Sequence, residues 1–451
     1  MIVMKFGGTS VGTPAAIRKT AEVVAAARDR KPVVVVSALS GVTNQLLAAA
    51  QDARARTAPA RELVRPLRDR HRRVLGELGL PRRLVDPDLA WLEEALHGIY
   101  LLRELTPRSL DYVASFGEVM SSKVVAAHLS KRKVPAKAWN AWDAGVVTDD
   151  GYTEAAVLPE TYPAIKKALA PVLGEEVPVV TGFLGRTRTG ERTTLGRGGS
   201  DYTAAIFGRA LGAEEIQIWT DVSGIMSCDP RIVRNAYTLR HVTFAEAAEL
   251  AYFGAKVLHP KTVEPAVEVG IPVRILNTFS PQDEGTLVLR EVPDAGTRAA
   301  VQGLAVKRGN MLVNLTSTRM LDAEGYLSQV FEVLARHGVS VDCLATSEVS
   351  VSMTVDARYA EALKGATREL RRIARTTVSR GRAVICVVGE GISTVPGVAG
   401  RIFGVMGNEG INIELISQGA SELNVTFVVR DAEADRALHA LHATFMGQAS
   451  A

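Results

Sequence analysis

The 451-residue sequence predicts an α/β protein, a mostly parallel sheet covered by helices on both faces, followed by two smaller α+β modules. Three observations predict it. Short runs at residues 2–6 and 32–37 are apolar but for Lys5 and the closing Ser37, as expected of strands in a parallel sheet covered by helices. Such runs alternate with helical patterns to about residue 290, the order expected of βαβ units. Beyond Pro293 and Gly296 a βαββα order occurs twice, with Gly338-Val339-Ser340-Val341-Asp342 and Gly410-Ile411-Asn412-Ile413-Glu414 at matching positions.

A chain of this length exceeds what one hydrophobic core serves, so two or three domains are expected, and a 47% hydrophobic fraction supplies their cores. The net charge of +4, with both signs interspersed, gives no basis for a nucleic-acid or anionic-membrane partner. Cys228, Cys343 and Cys386 are far apart and fit no metal or disulfide pattern, which suits a reducing compartment. The first strand leads directly into a glycine turn, not a secretory signal, and no apolar run approaches the ~20 residues that span a bilayer. A cytoplasmic location is expected.

Residues 2–6 form the first expected strand, followed by Gly7-Gly8-Thr9-Ser10-Val11-Gly12 and a helix from 14 to about 28. A strand that ends in glycines ahead of a helix places phosphate well. Neither G-x-G-x-x-G nor the P-loop spacing is present, so no Rossmann or Walker site is assigned. Lys5 stands at the strand end. The run 32–37 is the second strand, and Ser37, Ser40 and Thr43 follow at its carboxyl end, where open α/β sheets bind ligands. The arginine-rich stretch 54–83 carries interleaved acids and no aromatics, the pattern of a solvated helix face. A helical region continues over 89–105. In the segment 111–123, Glu118 stands among small and apolar residues, where a buried carboxylate requires a cation. Strands are expected within 134–143 and 177–185.

The stretch Gly196-Arg197-Gly198-Gly199-Ser200-Asp201 runs into an alanine-rich helical sequence and reads as a loop opening onto a helix N-terminus. Such an end attracts anions: glycines let backbone amides approach a ligand, and Arg197 adds a forked donor for carboxylate or phosphate. Asp201 is placed to cap the helix or to position a cation. A strand and turn follow over 216–225, then the turn Asp229-Pro230-Arg231. Lys256 lies in a small-residue setting, and His259, before a proline, reads as structural.

These motifs together resemble the aspartokinases of the amino-acid kinase superfamily: Lys5-Phe6-Gly7-Gly8-Thr9-Ser10, Ser37 with Gly41-Val42-Thr43-Asn44, Phe116-Gly117-Glu118, the 194–201 stretch, Trp219-Thr220-Asp221, and the 253–260 stretch from Phe253 to Pro260. The similarity covers nearly the whole chain. It implies an amino-acid kinase domain at 1–292 that transfers the γ-phosphoryl of MgATP to the side-chain carboxylate of L-aspartate, giving 4-phospho-L-aspartate, at the head of lysine, threonine and methionine biosynthesis. The repeats resemble ACT modules of ferredoxin-like fold, small amino-acid-binding units that pair edge to edge. The second repeat lacks a final strand and an unassigned strand precedes the first, so module 1 (309–381) is inserted within module 2 (299–308 plus 382–447).

By the same resemblance, Lys5 and Asp201 are catalytic, Lys5 and the amides of Gly7 and Gly8 holding the phosphates and Asp201 organising the cationic centre. Arg197 takes the α-carboxylate of aspartate, Glu118 its α-ammonium, and Ser37, Thr43 and Ser200 orient the acceptor beside Gly198 and Gly199. Phe6, Thr220, Asp221, Arg231, Lys256 and Val257 line the nucleotide site with Met226, which stands where many lysine-sensitive relatives have tyrosine. No protein-bound metal site is expected beyond the magnesium carried with ATP. The effector pocket, matched to L-lysine, comprises Met320, Ala323, Tyr326, Leu327, Ser340, Val341, Asp342, Thr346, Ser347 and Glu348. Ala323 replaces a serine of those relatives, a loss of one hydrogen bond, typically ~1 kcal/mol. A homodimer or larger assembly through the ACT modules is expected. The competing reading is an amino-acid sensor with a vestigial kinase domain, against which the retained Lys5, Arg197 and Asp201 argue.

Overall fold

The computed structural model describes residues 1–254, 260–292, 298–320, 324–419 and 423–447. In chain order the strands are β1 (Ile2–Phe6), β2 (Val33–Val36), β3 (Ala136–Trp139), β4 (Val177–Thr181), β5 (Leu184–Arg186), β6 (Arg192–Thr194), β7 (Glu215–Thr220), β8 (His241–Thr243), β9 (Val273–Asn277), β10 (Thr286–Leu289), β11 (Gly303–Thr316), β12 (Cys343–Thr346), β13 (Ser350–Asp356), β14 (Arg375–Val388), β15 (Leu415–Ser417) and β16 (Asn424–Arg430). The helices are α1 (Gly8–Val11), α2 (Pro14–Ala26), α3 (Val42–Ala55), α4 (Ala60–Glu77), α5 (Asp86–Leu102), α6 (Pro107–Lys131), α7 (Thr161–Leu169), α8 (Gly199–Leu211), α9 (Phe244–Phe253), α10 (Pro260–Glu268), α11 (Tyr326–Arg336), α12 (Ala360–Leu370), α13 (Gly391–Thr394), α14 (Val398–Asn408) and α15 (Ala434–Met446).

The chain divides into two compact units. The first comprises Met1–Ile225, Arg240–Phe244 and Val257–Val292. Its sheet has the order β3-β4-β2-β1-β7-β9-β10-β8, parallel at every pairing except β9 with β10. The four valines of β2 have no exposed surface, which is why that run shows no polar alternation. Ile2, Met4 and Phe6 of β1 enter a core shared with residues of α2 to α6. The strand order reverses at β1, where α/β sheets bind their ligands. Pairing registers place Phe6, Val36, Thr181 and Trp219 in one row across the four central strands. The residues just past that row, at the carboxyl ends, are Gly7, Ser37, Gly182 and Thr220.

One local expectation changes. The arginine-rich stretch is not one helix: α3 stops at Ala55 because Arg56 turns into the left-handed region (φ 57), and α4 begins after Pro59. The segment around Glu118 is the middle of the 25-residue α6, started by Pro107 in its first turn and by the Thr106 hydroxyl accepting the Ser109 amide.

The second unit comprises Met226–Leu239, Ala245–Lys256 and Pro293–Ala451. Its antiparallel sheet has the order β12-β13-β11-β14-β16-β15. The long strands β11 and β14 each serve both halves of it: Gly303–Lys307 pair with Val384–Val388, and Asn310–Thr316 with Arg375–Arg382, across a register shift after Lys307. One half packs Val313, Val330, Leu334 and Met353 into a core; the other packs Ile385, Ile402, Phe427 and Leu438. The strands that follow α11 and α14 begin at Cys343 and Leu415, after the chain has reversed through Gly338 (φ 64) and Gly410 (φ 63). Among the described residues no helix is long and apolar enough to cross a membrane.

Candidate active site

Strand β1 alternates its side chains, so Lys5 points away from the core that takes Met4 and Phe6. Its ammonium is buried, 9% exposed for the residue as a whole, and lies 2.6 Å from the Asp201 carboxylate. Removing two charges from water is costly unless each meets a partner, and this pair satisfies that condition. Asp201 stands in the first turn of α8. No side chain caps that helix: its cap residue is Gly198 at φ 74, preceded by Gly196 at φ 73. Only glycine takes that conformation without strain, so the loop's backbone and the helix's open first-turn amides follow directly from the sequence. Asp201 pairs with the Lys5 ammonium from that first turn.

The β1 turn is more restricted than expected. The Gly7 amide donates to the Trp219 carbonyl at 3.1 Å, and the Phe6 and Trp219 rings stack at 5.9 Å. Gly7 is therefore occupied in joining β1 to β7, while the Gly8 amide, at the first position of α1, lies ahead of the helix ladder. Beside it, Thr220 donates to the exposed Asp221 carboxylate at 3.1 Å.

Glu118 is 3% exposed. Its Oε1 accepts the Ala38 amide at 3.0 Å, just past β2, and Oε2 has no hydrogen-bond partner among the described residues. Burial pushes this carboxyl up to about 8, against the opposing pull of the Ala38 bond. Gly117 allows the approach: a Cβ there would stand 2.8 Å from Ala38 Cβ. Ser200 packs on Gly182 at the end of β4, where a Cβ would lie 2.6 Å from its Oγ. Ser37 and Thr43 are half-buried past β2, and Arg197 is exposed with no ion-pair partner among the described residues. Thus the ends of β1, β2 and β4 and the start of α8 bring together Lys5, Gly8, Ser37, Glu118, Ser200 and Asp201.

Other expected residues fall elsewhere. Met226 and Arg231 belong to the second unit, where Met226 accepts the Thr238 hydroxyl on its sulfur at 3.4 Å and the exposed Arg231 forks onto Asp229. Lys256, Val257 and Ala323 lie outside the described residues. In the expected effector pocket, Tyr326 is buried with its hydroxyl unpaired among the described residues, and Leu327, Ser340, Thr346, Ser347 and Glu348 are exposed. Met320 and Val341 are half-buried. Asp342 is engaged within its own unit. Its Oδ1 accepts from the Tyr252 hydroxyl at 2.8 Å and its Oδ2 takes the Lys307 ammonium at 2.6 Å, because both residues belong to segments that pack in the same unit. Sequence reasoning missed Lys307 and Tyr252. It also missed Asp111, whose carboxylate is buried among three donors, Phe183, at φ 69 beside Gly182, and Arg192. The one signal for Arg192 is its strand alternation with Thr194.

Among known proteins, the amino acid kinase family matches residues 1–277 and the ACT domain matches 313–366 and 385–445. The fold and site thus define an amino-acid kinase joined to ACT modules. Aspartokinase 3, chloroplastic, of Arabidopsis thaliana is 41% identical over 98% of this chain and 81% of its own length. The structure of E. coli aspartokinase III with lysine and aspartate is 35% identical, with a TM-score of 0.85 over 99% of both chains. The form of that enzyme with aspartate and ADP has a TM-score of 0.80 at 35% identity, over 98% of this chain and 99% of its own. The chain belongs to the aspartokinases, and it is an aspartate kinase.

Proposed function

We propose that the site at the ends of β1, β2 and β4 binds L-aspartate and MgATP and joins them directly. The observation that carries this reading is Glu118: a buried carboxylate with one unpaired oxygen fits the α-ammonium of an amino acid. Arg197, without another anion, takes the α-carboxylate. Ser37, Thr43 and Ser200 orient the side-chain carboxylate, with Gly198 and Gly199 giving the backbone room. The acceptor is ionised at neutral pH, so no general base is needed. A carboxylate oxygen forms a bond to the γ-phosphorus, the bond to the bridging oxygen breaks, and ADP leaves. The demand is for positive charge between two anions, which Lys5 supplies while Asp201 fixes its position. Thr220 and Asp221 contact the nucleotide. Magnesium is read as entering with ATP, whose phosphate charge it would neutralise.

The second unit is read as the regulatory half, one ACT module at 309–381 inserted in another made of 299–308 and 382–447. Its effector is read as L-lysine, supported by the lysine held in the E. coli aspartokinase III structure. The assembly is read as a homodimer formed through this unit. The test is hydroxylamine trapping of the acyl phosphate from MgATP and L-aspartate, with and without millimolar L-lysine. Turnover suppressed by lysine is expected. Turnover indifferent to lysine would retain the kinase and reject this effector.

A further inference from the structure

We propose that Asp111 is a positioning residue for aspartate phosphorylation, holding the 194–201 loop in register with the helix that carries Glu118. On α6, Asp111, Ser115 and Glu118 follow at i, i+4 and i+7 and share one face. Strand β6 turns Arg192 and Thr194 to one side. The two elements meet through these residues. Asp111 Oδ2 accepts the Thr194 amide at 2.9 Å and Oδ1 accepts the Thr194 hydroxyl at 2.7 Å. Arg192 donates to the Ser115 hydroxyl at 3.0 Å, its guanidinium lying 4.6 to 5.1 Å from the ring centroids of Tyr112, Trp142 and Phe116. Two residues past Thr194 the chain enters Gly196, and then Arg197.

Asp111 also gathers a second loop against the first. Its Oδ2 accepts the Thr153 amide at 2.9 Å. Thr153 has φ 77, a conformation a β-branched residue avoids unless its surroundings hold it there. The Ala155 amide then donates to the Thr194 carbonyl at 3.0 Å, and a Cβ on Gly196 would lie 3.0 Å from Glu154 Cγ and 3.3 Å from the Thr153 carbonyl oxygen. One buried carboxylate thus fixes the entry to the substrate loop from both sides, without belonging to the reacting groups. Helix packing alone does not ask for it: an apolar side chain would fill the space, whereas a carboxylate there specifies where two amides and a hydroxyl must lie.

The inference rests on the reading that this loop takes aspartate, so Arg197→Ala serves as the reference. The measurement is steady-state kinetics of Asp111→Asn, Thr194→Val and Thr194→Ser, with thermal midpoints. Asp111→Asn is expected to raise the aspartate KM about tenfold, ~1.4 kcal/mol, with the ATP KM within about twofold of the parent. Thr194→Val, which removes the hydroxyl donor alone, moves the aspartate KM in the same direction. Thr194→Ser restores the donor and the parent KM. Where the asparagine variant does not fold, the two threonine variants carry the same test. An unchanged aspartate KM in Thr194→Val, or equal rises in both KM values alongside a lowered thermal midpoint, overturns the proposal. If Arg197→Ala raises the aspartate KM and the Asp111 and Thr194 variants do not, only the positioning role falls. If Arg197→Ala leaves it unchanged, the loop reading falls and the positioning role with it.

Discussion

The Glu118 carboxylate has a consequence in protons. Its folded pKa of about 8 stands above the ordinary value of 4.5. Between these values the folded chain retains a proton that the unfolded chain has released, so this group's contribution to stability is lost as pH rises through that window. A bound ammonium reverses the preference by stabilising the ionised form. Aspartate binding should therefore release a proton below pH 8. The aspartate KM is expected to fall, by up to about tenfold per unit, as pH rises from 6 to 8, then level off. Glu118→Gln should flatten that profile and raise the KM about a hundredfold, the loss of a buried charge-assisted hydrogen bond of ~2–3 kcal/mol. A KM profile that kept its slope in the glutamine variant would remove Glu118 from the ammonium site.

At the scale of elements, the site depends on how closely α8 approaches the end of β4. Gly182 permits this approach, since a Cβ there would meet Ser200 Cβ and Oγ at 2.6 Å and its Cα at 3.0 Å. The obstruction includes backbone, so a rotamer change alone does not relieve it. Gly182→Ala is expected to displace the first turn of α8, destabilise the fold by ~1–3 kcal/mol, and raise the aspartate KM more than the ATP KM. Denaturant unfolding alongside kinetics checks both parts, and unaltered kinetics would show that α8 can yield without cost to the site. The same element explains a limit of sequence reading. The glycine-rich loop and its helix are visible as local pattern, because Gly196 and Gly198 must adopt positive φ. The pairing of Asp201 with Lys5 depends on β1 lying beneath α8.

For the whole molecule, the regulatory reading turns on a carboxylate that the chain already engages. Asp342 is bound by Lys307 and Tyr252 of its own unit. An effector ammonium that uses it must compete with Lys307. Lys307→Met is therefore expected to lower the lysine concentration for half-inhibition, and Asp342→Ala to relieve inhibition while leaving catalysis largely intact. Inhibition curves in the trapping assay measure both. A Lys307→Met enzyme less sensitive to lysine would mean that Lys307 orients the pocket instead of occupying it.

The sequence by itself determined the α/β order, the duplicated C-terminal pattern and the six motifs that resemble aspartokinases. These are carried by local features: apolar runs, glycines that must take positive φ, and charged residues at strand and helix ends. It also placed a buried Glu118 in want of a cation, since neighbours such as Phe116, Gly117 and Val119 offer none. Only the tertiary structure decided which groups are free to act. Gly7 is occupied by Trp219, Asp342 by Lys307 and Tyr252, and Asp111 by Thr153 and Thr194. In each case the partner lies far along the chain. Periodicity reveals which face a side chain takes, but which other segment crosses that face is settled by packing of the whole domain.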